Sequence, residues 1–88
     1  MSAAERTAVV ASEVGLHARP AAVFARAAKA TGVPVTIALD GGDPVDAASV
    51  LSVLTLGVES GQRVVLRAEG DGAEAALDRL ASLLESAE

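Results

Sequence analysis

His17, the only histidine of this 88-residue chain, stands in the stretch Gly15-Leu16-His17-Ala18-Arg19-Pro20-Ala21. An imidazole offers a lone pair as a nucleophile, and what it can attack depends on its neighbours. Ala18 follows at the start of a helical pattern, so His17 falls at the N-cap and the amides of Ala18 and Arg19 are donors without intrahelical partners. Such amides, at the positive end of a helix, attract phosphate, and Arg19 adds a planar cation that can fork onto phosphate oxygens. Pro20 suits the first turn, where its missing N–H has no intrahelical partner to lose. Gly15 permits the sharp turn that would expose the ring. Nucleophile, anion cradle and countercharge thus fall within seven residues. A histidine near a helix start is also an ordinary surface residue, and Arg19 alone is an ordinary solvated charge, so the grouping carries the reading.

Those residues need elements to hold them. The apolar run Thr7 to Ala11 predicts a first strand, ending in the polar turn Ser12, Glu13 and Gly15. Ala21, Ala22, Phe24, Ala25 and Ala28 recur at helical spacing, with Arg26 and Lys29 on the other side and Gly32 as a stop, which predicts a helix over 18–30. Residues 33–39 alternate strictly, placing Val33, Val35, Ile37 and Leu39 on one face, with Pro34 at the strand's beginning or an unpaired position. Asp40, Gly41 and Gly42 turn into a brief strand around Pro44 to Ala47. The run from Ser49 to Gly57 is apolar almost all round. A Ser49 cap and a Gly57 stop favour a short helix there over a strand. After the turn at Ser60 and Gly61, residues 63–69 alternate again with Val64, Leu66 and Ala68 inward. Asp71 and Glu74 have the spacing of a capping box ahead of a terminal helix that buries Ala73, Ala76, Leu77, Leu80 and Leu84. The order is βαββαβα. Short turns imply antiparallel pairing, and three helices can cover one face of four strands, an α+β two-layer, open-faced sandwich.

Composition narrows the function. The length suits one domain spanning residues 1–88 with a single core. About half the residues are hydrophobic (51%), mostly Ala, Val and Leu, and Phe24 is the only aromatic, so thin elements packed closely are expected rather than a roomy cavity. A net charge of -5 and the lack of stacking aromatics argue against nucleic-acid binding. With no cysteine and one histidine, neither a disulfide framework nor a metal centre is expected, and no cofactor. The N-terminal segment MSAAERTAVV lacks a basic stretch followed by a long apolar run, and no stretch approaches bilayer length, so a cytoplasmic protein without membrane insertion is the expectation.

Two segments resemble those of HPr proteins, the histidine-containing phosphocarriers of the bacterial phosphoenolpyruvate-dependent sugar phosphotransferase system. GLHARPA, Gly15 to Ala21, is similar to the family's active-site signature, and SVLSVLTLG, Ser49 to Gly57, resembles its regulatory-serine segment. The family fold has the same βαββαβα order. The resemblance implies that His17 takes a phosphoryl group on Nδ1 from phosphorylated enzyme I and passes it to the IIA component of a sugar permease. Ala18 and Arg19 match the residues that hold that group. HPr proteins are covalent carriers without turnover of their own, which makes enzyme status a matter of convention. The family docks partners through a shallow apolar patch with a basic rim. Ala22, Val50, Leu51 and Leu54 match its apolar part, and Arg26 and Lys29 its basic part. At least one of the three residues from the short helix must also serve the core.

Ser49 matches the serine that an HPr kinase/phosphorylase phosphorylates in many Gram-positive members, and it is equally suited to act as a plain N-cap. Ser52 stands where some members carry a basic residue. Alternative readings are an HPr-like regulatory or nitrogen-branch phosphocarrier that controls a partner protein rather than sugar uptake, and a small binding or oligomerisation domain in which His17 is incidental. A carrier that presents one face to two partners in turn is most simply a monomer.

Overall fold

Residues 63–69 form the strand that their alternation predicts, and this strand is the spine of the protein. The computed structural model describes residues 3–86. Among them the elements run β1 (Ala3–Val9), α1 (Ala18–Ala30), β2 (Val35–Leu39), β3 (Val45–Asp46), α2 (Val50–Thr55), β4 (Arg63–Glu69) and α3 (Ala73–Glu85). The sheet order is β1-β4-β2-β3, and every neighbouring pair is antiparallel. Placing β4 between β1 and β2 joins distant parts of the chain, with Ala4 and Val35 both opposite Ala68.

Val64, Leu66 and Ala68 of β4 are buried as expected, and with Val35 and Ile37 of β2 they make the floor of the core. Phe24 of α1, Val53 of α2, and Leu77, Leu80 and Leu84 of α3 close it from the helix side. The small residues Ala21, Ala25 and Ala28 on α1 and Ala73, Ala76 and Ala81 on α3 are also buried. Alanine-sized contacts let thin elements approach closely, so an aliphatic core with one aromatic suffices. The other face of the sheet carries Glu5, Arg67 and Thr36 and has no helix over it. The Glu5 carboxylate lies 3.3 Å from the Arg67 guanidinium.

Several boundaries differ from the sequence expectation. The first strand runs Ala3–Val9, not Thr7 to Ala11, pairing with the whole of β4. Alanines and charged residues hid its beginning. Its end is set by tertiary contact, because the Ala11 amide donates to the Leu84 carbonyl at the end of α3 (3.0 Å) and so leaves the sheet. Residues 33 and 34 precede β2. The Val33 amide donates to Thr31 Oγ1 (3.2 Å), which keeps Val33 in the turn, and Pro34 stands ahead of the strand, where no ladder bond is needed. The third strand shortens to Val45–Asp46, although the Ala47 amide still bonds to the Val35 carbonyl.

The expected capping box of α3 does not form. Gly72, at a φ of 83°, is the N-cap, with no side-chain cap bond. Glu74 instead accepts from Arg6 of β1 (3.2 Å), whose Nε also donates to Asp78 (2.9 Å). Those bonds, Asp78's first, raise the Arg6 pKa above its ordinary value, so the strand is tied to α3 by a cation that stays charged. The box fails by one residue of register: with Gly72 as N-cap, Glu74 stands at the second helical position instead of the third and meets Arg6.

Candidate functional site

The loop that presents His17 is fastened by backbone. Gly15 donates to the Ser12 carbonyl (3.0 Å), and Leu16 donates to the Val58 carbonyl beyond α2 (2.9 Å). Leu16 is buried, which pulls this segment down, while His17, Ala18 and Arg19 emerge into solvent directly after it. Gly15 is buried at a φ of +69°, and a Cβ on it would stand 2.3 Å from the Val58 carbonyl oxygen. The glycine thus serves a close backbone approach as well as the turn expected of it.

His17 is the N-cap of α1, in extended conformation (φ -118°, ψ 156°), and its side chain makes no cap bond. The imidazole is therefore not spent on the helix. No carbonyl outside the helix accepts the Ala18 or Arg19 amide among the described residues, and the first turn of α1 holds no acidic side chain. A positive helix end with open donors lies beside an unengaged, exposed nucleophile. Ala18 adds a feature that composition and spacing did not reveal. Its φ is +46°, in the left-handed region that alanine seldom occupies. Strain of this kind persists only where the surroundings impose it, and here the Leu16–Val58 anchor and the α1 core contacts set both ends of the join.

The candidate docking residues divide clearly. Arg19, Ala22, Arg26 and Lys29 follow at helical spacing along one side of α1, with the three cations exposed and Ala22 half-buried. Helix α1 packs against α2. On α2, Leu51 is 76% exposed and Val50 is 38% exposed, whereas Leu54 is half-buried against the core. The core position in this helix is Val53, at 0% exposure. The result is an apolar surface with a cationic border on a chain whose net charge is -5. Sequence reading also missed two exposed apolar residues outside this surface, Val23 (46% exposed) and Val14 (59% exposed). Val23 could have been found, because it falls off the Ala21–Phe24–Ala25–Ala28 stripe of α1. Val14 lies in a loop with no periodic signal.

Ser49 is the N-cap of α2, and its Oγ accepts from the Ser52 amide (3.2 Å). The short helix was correctly preferred over a strand. Since the hydroxyl satisfies an otherwise open donor, Ser49→Ala should lower stability by about 1 kcal/mol in urea unfolding while leaving chemistry at His17 unchanged. Its place at the foot of the apolar surface would also put a phosphate on that hydroxyl beside Val50 and Leu51. No group of three or more His, Asp or Glu side chains that could hold a metal occurs among the described residues. No helix among them is long and apolar enough to cross a membrane.

Comparison with known proteins shows the family. A family model described as "PTS HPr component phosphorylation site" matches residues 4–86. The phosphocarrier protein HPr of Streptomyces coelicolor is 59% identical over 81 residues, covering 92% of this chain and 87% of that protein. The phosphocarrier protein NPr of Shewanella violacea is 35% identical, covering 98% of this chain and 93% of that one. Among solved structures, HPr of Bacillus anthracis superposes with a TM-score of 0.89 at 31% identity, over 96% of this chain and 99% of its own. In sequence over residues 4–86 and in fold, this chain belongs to the HPr family of phosphotransferase-system phosphocarriers.

Proposed function

We propose that His17 is the phosphoryl acceptor of this HPr-family chain, charged by phosphorylated enzyme I and discharged to the IIA components of sugar permeases. The observation that carries this reading is the exposed His17 ring, which makes no cap bond at a helix end whose Ala18 and Arg19 amides are open. The lone pair of Nδ1 forms the bond to phosphorus as the bond to the donor atom breaks, and the donor keeps that electron pair. The Ala18 and Arg19 amides and the Arg19 guanidinium receive the charge of the equatorial oxygens. Discharge runs the same step in reverse toward a IIA nucleophile. Because the site is shallow and exposed, in-line alignment depends on the docked partner.

Mixing the protein with enzyme I from the same organism, phosphoenolpyruvate and Mg²⁺ should give one acid-labile phosphoryl adduct by intact-mass spectrometry at neutral pH. A folded sample that stays unmodified sinks the carrier reading.

The basic border on α1 and the apolar residues of α2 suit an acidic partner surface, with charge speeding the encounter and apolar contact holding it briefly. Leu51 is the sharpest test, since it is exposed and its loss leaves the core intact. Leu51→Asp should leave the unfolding midpoint within about 0.5 kcal/mol of the parent. It should slow phosphorylation by enzyme I on the order of 10-fold, the size expected for a central apolar contact. An unchanged rate would remove α2 from the docking surface.

A further inference from the structure

Beneath the His17 loop, away from the α2 side, lies a cleft of about 300 Å³ between the end of β1, the first turns of α1 and the last turn of α3. Its floor is made by Val10, Leu16, Phe24 and Leu84, each no more than 4% exposed, and Val23 and Leu83 stand at its rim. Three residues with polar side chains line it, Ser12, Arg19 and, at the end of α3, Ser86. Ser12 is the one buried polar residue of the described chain, at 9% exposure. Its backbone carbonyl is used by Gly15, but its hydroxyl has no hydrogen-bond partner among the described residues. Nor is that hydroxyl sealed in as an unsatisfied buried group, which leaves the cleft as the space it opens into. Arg19 makes no ion pair among the described residues.

A hydroxyl with no protein partner that opens into an apolar cleft can hydrogen-bond to what enters there, and a cation at the same cleft selects the charge of what enters. We infer that this cleft binds a small monocarboxylate with a short branched apolar body. The carboxylate pairs with the Arg19 guanidinium, the Ser12 hydroxyl supplies a further donor, and the body lies on Val10, Leu16, Phe24 and Leu84. A single negative charge matches the single cation, and the guanidinium fork fits a carboxylate. The volume is at the lower end of the roughly 300–1,000 Å³ range of small-molecule sites, which restricts the body to a few carbons. One consequence rests on the proposed function. An acid that holds Arg19 withdraws it from a phosphoryl group on His17, so occupancy would oppose charging of the carrier.

The test is made on the unphosphorylated protein, so that it stands or falls apart from the carrier reading. ¹⁵N-labelled protein is titrated at constant ionic strength with 4-methylpentanoate, with its uncharged amide, and with inorganic phosphate. The expected result is saturable shifts at Val10, Ser12, Leu16, Val23 and Leu83, with a dissociation constant on the order of 1 mM for the acid. The amide should bind at least 10-fold more weakly, and Arg19→Gln should erase the difference between the two. Ser12→Ala should weaken the acid severalfold without moving the unfolding midpoint. Absence of saturable shifts overturns the proposal, as does equal binding of acid and amide to the parent. Shifts confined to Ala18 and Arg19 that phosphate reproduces would also overturn it, because they would report the helix end alone.

Discussion

His17→Ala should fold as the parent does and accept no phosphoryl group. The side chain is exposed and caps nothing, so its removal falls among surface substitutions worth about 0.5 kcal/mol or less in stability. The chemistry, by contrast, has no second imidazole to fall back on, since His17 is the only histidine of the chain. The expected mass spectrum after incubation with enzyme I, phosphoenolpyruvate and Mg²⁺ is that of unmodified protein, with circular dichroism and urea midpoint unchanged. Arg19→Ala gives the useful contrast. It leaves the acceptor in place and removes one charge-assisted contact to the transferring group, so the adduct still forms, slower by roughly 10²-fold. An acid-labile adduct on His17→Ala would place the acceptor elsewhere. An acid-stable one would indicate a serine ester instead, with Ser49 the first residue to examine.

The parts of this protein that a reader of the sequence could see are those decided locally. Helix α1 carries its apolar stripe and glycine stop in the residues themselves, and β4 alternates without interruption. Helix α2 was ambiguous by periodicity and was settled by the Ser49 hydroxyl and Gly57, both of which act within one turn. The parts that were misread are those decided by distant residues. The beginning of β1 has no apolar alternation because Arg6 occupies a helix-facing position, where it meets Glu74 and Asp78. The capping box failed because the helix starts from Gly72 and not from Asp71, one residue of register that the sequence pattern did not mark. At the candidate site, residue types and spacing pointed to His17 and Arg19, and the open helix end follows from Pro20 and the N-cap position. The left-handed Ala18 and the unpartnered Ser12 could not be read in that way. The first depends on how the Leu16–Val58 bond meets the helix, and the second on α3 closing over the loop after β1.

Gly15→Ala should be the most damaging change of a single methyl group on the loop that presents His17. Two separate effects act there. A φ of +69° is left-handed for alanine, and the added Cβ would lie 2.3 Å from the Val58 oxygen and 2.8 Å from the Glu59 Cα, both backbone atoms that no side-chain rotation can move away. The loop must lift, and with it the Leu16–Val58 hydrogen bond and the buried Leu16 side chain. A loss of about 2–4 kcal/mol in unfolding free energy is expected. Gly61→Ala separates the two effects, because Gly61 also has a positive φ (+85°) but nothing within 4 Å of an added Cβ. That variant should lose only about 1 kcal/mol, the conformational part. Under strongly native conditions, where both variants are folded, Gly15→Ala should also be phosphorylated more slowly than Gly61→Ala, because only the former displaces the anchor that sets where His17 and the helix end stand. Equal stability losses would mean that the segment at Val58 and Glu59 yields to the methyl group. Equal phosphorylation rates would mean that the partner, rather than the loop, positions the ring.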